Sequence, residues 1–173
     1  MRNLGIIGAL LLASVPAYAQ SLGERTGVDS LLGVTPSTQD FVSEATKAGM
    51  FEVDSSKLAI QKTDGQIKEF ATQMVADHTK AGEELATQAK AENLSVPTAL
   101  DNSDQDKINK LEKLSGSDFS KQYMDYQVSG HKSAVSLFQR YGKGGDNAKL
   151  KSWAVTTLPT LQHHLDMAQG LDK

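Results

Sequence analysis

Four stretches of this chain carry apolar or small residues at spacings of three and four, and that pattern leaves few folds open. The first runs Phe41, Ala45, Ala48, Ser55, Ala59 and the second Ile67, Ala71, Met74, Ala81, Leu85. The third runs Met124, Val128, Val135, Phe138 and the fourth Leu150, Ala154, Thr157, Leu161, Ala168. Such spacing collects the residues on one face of an α-helix. No stretch alternates with the period of two that a half-buried strand needs, and no repeat recurs at a solenoid period. The chain is expected to be all-α.

Punctuation places the helices at 38–62, 66–92, 117–141 and 148–170. Ser37 is a cap for the first, with Asp40 near the positive end of its dipole. Thr63, Asp64 and Gly65 make the first turn, and Asn93 is a left-handed stop with Pro97 beyond it. "GKGGDN" at 142–147 breaks the third helix from the fourth. Pro159 falls inside the fourth, where it should kink or split it. Two helical hairpins joined by a long connection, with a short helix in "DQDKINKLEKL", describe a four-helix bundle. The connection either returns along the bundle, the ferritin-like arrangement, or crosses one end.

The amino terminus, "MRNLGIIGALLLASVPAYA", has the Arg, the short apolar run and the small-residue cleavage site of a secretory signal peptide. It is shorter than a transmembrane helix of ~20 residues. Residues 1–19 are read as the signal, 20–36 as a flexible leader and 37–173 as the bundle domain. The mature chain is then expected in the periplasm, with no transmembrane anchor. Losing Arg2 leaves 17 basic residues against 21 acidic ones, without a basic stripe, which argues against nucleic acid as a partner. The chain has no Cys, so thiolate metal sites and disulfides are excluded. A homo-oligomer or a protein partner is neither indicated nor excluded.

Each apolar stripe is interrupted by one ionisable residue: Glu52, His78, His131 and His164. All four fall in register and should point inward. An isolated buried charge costs several kcal/mol unless it is paired or neutralised. Three imidazoles and a carboxylate on facing helices are also a ligand set for one divalent transition ion, whether Zn, Cu, Fe or Ni. Helix rise puts Glu52, His78 and His131 at similar depth. His164 is counted about 16 residues into its helix and His131 about 10 from the end of its own, a mismatch of roughly 9 Å. Glu52, His78 and His131 are therefore the preferred trio, with His164 a fourth. The competing reading is a non-catalytic structural or interaction bundle whose buried His/Glu network only fixes packing. Asp77, about 100° off the stripe, is expected at the surface with Lys80, or else behind a neighbouring His. Tyr123 and Tyr126 are expected to pack or to donate a hydroxyl, and Trp153 to lie in the core. No nucleophile triad or phosphate loop is present, so enzymatic activity is not indicated.

"FVSEATKAGMFEVDSSKLAIQK", "IKEFATQMVADHTKAGEEL", "YMDYQVSGHKSAVSLFQRY" and "LKSWAVTTLPTLQHHLDMAQ" together resemble the domain of unknown function 4142 family. The resemblance spans about residues 38–171 and is carried most specifically by Glu52, Asp77–His78, His131, Leu158–Pro159 and His164. Where the family has Phe-Asp, this chain has Phe119–Ser120. The resemblance implies an exported bacterial protein, commonly given an outer-membrane label, with a ferritin-like fold. It does not imply a di-iron oxidase. That site wants Glu three residues before His, and Val75, Val128 and Leu161 stand there. The function expected is of a binding or stress-response type.

Overall fold

A computed structural model describes residues 33–172; the signal-peptide reading and most of the leader lie outside them. The described residues form five helices and no strand: α1 (Thr38–Lys62), α2 (Gly65–Ala91), α3 (Asn102–Lys113), α4 (Gly116–Gly144) and α5 (Ala148–Leu171). The helix starts follow local chemistry. Ser37 Oγ accepts from the Asp40 amide and Asp101 Oδ1 from the Asp104 amide, at 3.1 and 3.0 Å. Asn147 Oδ1 takes the amides of both Lys149 and Leu150. These side chains satisfy amides that the first turn leaves without partners. Asn93 ends α2 at a φ of 55°, the left-handed stop expected of it. Pro159 neither ends nor splits α5, which runs unbroken through it with the proline ring on the exposed side.

α1 pairs with α2 and α4 with α5; α1 also packs on α4, and α2 on α5. Two buried apolar clusters lie at opposite ends. One holds Phe41, Leu85, Phe138, Tyr141, Leu150 and Trp153. Phe41 stacks on Tyr141 at 4.0 Å between centroids, nearly parallel, and meets Phe138 edge-on at 5.1 Å. The other holds Ala59, Phe70, Met74, Phe119, Tyr123 and Ala168. α2 therefore finishes at the first end and α4 starts at the second, so the connection between them travels the length of the molecule.

Local contacts show its route. Gln39 holds the backbone of Ser95 through both amide atoms, at 2.8 and 3.0 Å. Asp101 stands 3.7 Å from Lys47. At the far end, Lys62 donates to the carbonyls of Glu112 and Leu114 at 2.6 and 2.8 Å. α3 thus runs parallel to α1, burying Ile108 and Leu111, and Lys62 sits on its negative dipole end. No helix among the described residues is long and apolar enough to cross a membrane.

Candidate metal centre

Between the two apolar clusters lies a polar layer: Glu52, Ser55, Ser56, His78, Gln127, His131 and His164 are all buried. Part of it is internally satisfied. Tyr123 Oη and Ser56 Oγ share a hydrogen bond of 2.8 Å, and Gln127 Nε2 donates to Ser55 Oγ at 3.3 Å. The three imidazoles are left differently. Their ring centroids stand 5.3–5.5 Å apart, and one nitrogen of each lies within 4.8 Å of the others.

Partners fix the tautomers of two rings. His131 Nδ1 is 2.9 Å from the Gln127 carbonyl. A carbonyl oxygen only accepts, so Nδ1 carries the proton and Nε2 is bare. His164 Nε2 is 2.9 Å from Asp77 Oδ2. A carboxylate also accepts, so here Nε2 carries the proton and Nδ1 is bare. These two bare nitrogens and His78 Nε2 are the ring nitrogens that are buried with no hydrogen-bond partner. Buried polar nitrogens without a partner are costly, and a cation would satisfy the two bare ones together with the His78 ring in its Nδ1–H form.

Electrostatics keep the rings neutral. Burial pushes His78 down to about 3, with His131 and His164 adding to the effect. Burial likewise lowers His131 to about 4 against the opposing Gln127 carbonyl. His164 is lowered by burial too, and the Asp77 hydrogen bond works the other way. Neutral imidazole is the form that ligates a metal. Nitrogens around one tetrahedral ion at ~2.1 Å stand about 3.4 Å apart, so the three rings need to draw in by roughly an ångström.

The positions differ from the sequence reading in two ways. His164, which the helix count set about 9 Å out of level, stands with His78 and His131. The count took α4 to end at Tyr141, but α4 runs on to Gly144, one turn further. Glu52, placed in the preferred trio, is beside the group and outside it. Its Oε1 is 3.9 Å from His131 Nδ1, the nitrogen already bonded to Gln127. Asp77 is paired with His164 across helices. A residue 100° from the core stripe faces the neighbouring helix of a packed pair, here α5, so Asp77 takes the place behind a neighbouring His, the second of its two expected positions, and not the surface pairing with Lys80.

Glu52 is 4% exposed, and burial raises its carboxyl to about 8, with Gln127 opposing. Its Oε2 has no partner. α4 makes room for it with a glycine: a Cβ at Gly130 would sit 2.7 Å from Glu52 Oε1. Sequence reasoning missed Gln127, although it lies one turn before His131 on the same face. Trp153 lies in the core and donates to Glu84 at 3.1 Å.

No curated protein matches this chain. Its fold is similar to the crystal structure of a DUF305 fragment from Deinococcus radiodurans, with a TM-score of 0.68 at 10% identity over 79% of this chain and 97% of that one. The model of the domain of unknown function family DUF4142 matches residues 24–171, and the chain belongs to that family.

Proposed function

We propose that this is an exported, periplasmic ferritin-like four-helix bundle that holds one divalent transition ion through His78, His131 and His164. The observation that carries the reading is the convergence of three buried imidazoles, each with a buried nitrogen that has no hydrogen-bond partner, two of them with the proton fixed on the other nitrogen. The His164–Asp77 pair has the form of the carboxylate–histidine contacts that orient ligands in metal sites. Zn, Cu, Fe and Ni all suit imidazole. The closed ring of neighbours α1–α2–α5–α4 and the end-to-end connection support the ferritin-like assignment. The Arg-led apolar run before Ala19 supports export.

The test is elemental analysis of the mature protein purified without chelator or affinity histidines, beside a His78→Ala/His131→Ala variant. Near-stoichiometric metal in the first and none in the second supports the site. No metal in either, after incubation with salts of all four ions, overturns it.

A second reading has its own support. The Tyr123–Ser56 and Gln127–Ser55 bonds show that part of the layer is satisfied without any ligand. On that reading the layer fixes packing, and His78→Ala lowers stability equally with and without added metal.

A further inference from the structure

A cleft of about 550 Å³ opens between α1 and α2 and comes up against His78 and His131. The ligating nitrogens lie beyond its reach. His78 Nε2, His131 Nε2 and His164 Nδ1 are all closed off from solvent. An ion therefore cannot reach the three rings, or leave them, unless a side chain or a helix moves.

The rings are not equally free to move. His131 is tied through Nδ1 to the Gln127 carbonyl and His164 through Nε2 to Asp77, both at 2.9 Å. Each of these two is 1% exposed. His78 has no hydrogen bond to any described residue and is the most exposed of the three, at 9%. Moving it breaks packing contacts and no hydrogen bond.

Room for the movement lies on its own helix. Residues four apart on a helix share a face, and a helical side chain leans over the turn before it. A side chain at position 82 would lie over His78, and Gly82 leaves that place bare. A Cβ there meets nothing within 4 Å. Across the cleft α1 presents Ala45, Ala48 and Gly49, and a Cβ at Gly49 is equally unobstructed. A glycine inside a helix costs about 1 kcal/mol relative to alanine. Neither glycine is there to admit a close neighbour.

We propose that His78 is the gate of the ion site: its ring swings into the space beside Gly82 and lets an ion pass between the cleft and the other two imidazoles. The inference rests on the three-histidine reading above. His131 and His164 are the fixed jaws and His78 the moving one. The rival route is parting of the two hairpins. It would break the Asp77–His164, Tyr123–Ser56 and Gln127–Ser55 bonds and bare all three rings together.

Two readouts on the mature protein test the gate. In the first, protein loaded with Zn, or with whichever of Cu, Fe and Ni it takes up, is mixed with excess chromophoric chelator and release is timed. Gly82→Leu covers the space and should slow release by about tenfold or more. Its equilibrium affinity should stay within about threefold of the parent's. Gly82→Ala gains helix propensity without covering the ring and should release at the parent's rate, which separates gating from added stability. If Gly82→Leu fails to fold, Gly49→Leu fills the same space from α1. Release at the parent's rate in the leucine variant, or equal slowing in the alanine variant, overturns the proposal.

The second readout needs no ion. Chelator-treated protein is labelled with diethyl pyrocarbonate, which acylates imidazole nitrogens, and the rate at each histidine is read by peptide mass spectrometry. Exposed His163 is the internal standard. His78 should react faster than His131 and His164 by about tenfold or more, and Gly82→Leu should slow it without changing His163. Equal rates at the three buried rings mean parting hairpins and overturn the gate. A parent that takes up none of the four ions overturns the ion reading and the passage of an ion with it. That outcome is told apart from a fixed ring, because the labelling decides the swing without metal.

Discussion

Asp77 Oδ2 on α2 accepts a hydrogen bond from His164 Nε2 on α5 at 2.9 Å. The contact fixes the ring's tautomer, leaves Nδ1 bare and buried, and ties one hairpin to the other. Asp77 is itself half-exposed, so its removal leaves little buried void. Asp77→Asn is therefore expected to keep the helical spectrum and weaken Zn affinity by ~10–100-fold, the range for losing an outer carboxylate partner. Competition with a chromophoric chelator measures it.

The metal-free protein should be most stable near pH 6.5. Glu52 is raised from 4.5 to about 8, so its stabilising contribution is full below pH 4.5 and is lost as pH rises through about 8. His78 and His131 are lowered from 6.5 to about 3 and about 4, so theirs is full above pH 6.5 and is lost as pH falls toward those values. Between 4.5 and 6.5 the two histidines outweigh the one acid and stability climbs. Above 6.5 only the acid acts and stability falls. Melting temperatures from pH 4 to 9 should trace that peak, and Glu52→Gln should flatten its alkaline side.

Gly130 and Glu52 should be coupled. A Cβ 2.7 Å from the carboxylate forces Glu52 to move within a buried layer. Gly130→Ala is expected to destabilise by ~1–3 kcal/mol, the cost of overpacking. In a Glu52→Ala background the clash is gone, and the same change should stabilise by up to about 1 kcal/mol through helix propensity. Urea unfolding of the four proteins gives the cycle.

Pro159 lies on the exposed side of a continuous α5 and removes one backbone donor there. Pro159→Ala should raise stability by ~1–3 kcal/mol, read from the urea midpoint at unchanged slope.

Most of the helical framework was legible because caps, stops and the three–four spacing are local. Ser37 and Asn93 act where the sequence places them. That all four interruptions are buried was legible for the same reason. Depth was not. The level of His164 depends on how far α4 runs before "GDN", and Gly142 and Gly144, read as breakers, are helical. Lateral neighbours were not legible either. Gln127 matters through Ser55 on another helix and through its own carbonyl, and which His Asp77 backs depends on the helix beside it, which no spacing rule within one segment reports. The route of the connection rests on Gln39 meeting Ser95 and on Lys62 meeting the end of α3, contacts far apart in the chain.

The hairpin layout gives the polar layer a mechanical character. Glu52 and His78 come from the first hairpin, His131 and His164 from the second, with the α3 crossover between them in the chain. Neither hairpin alone carries the three rings. An ion seated among them would act as a rivet across the seam, gripping hardest against the one motion that swings the hairpins apart and hardly at all against fraying at either end of the molecule.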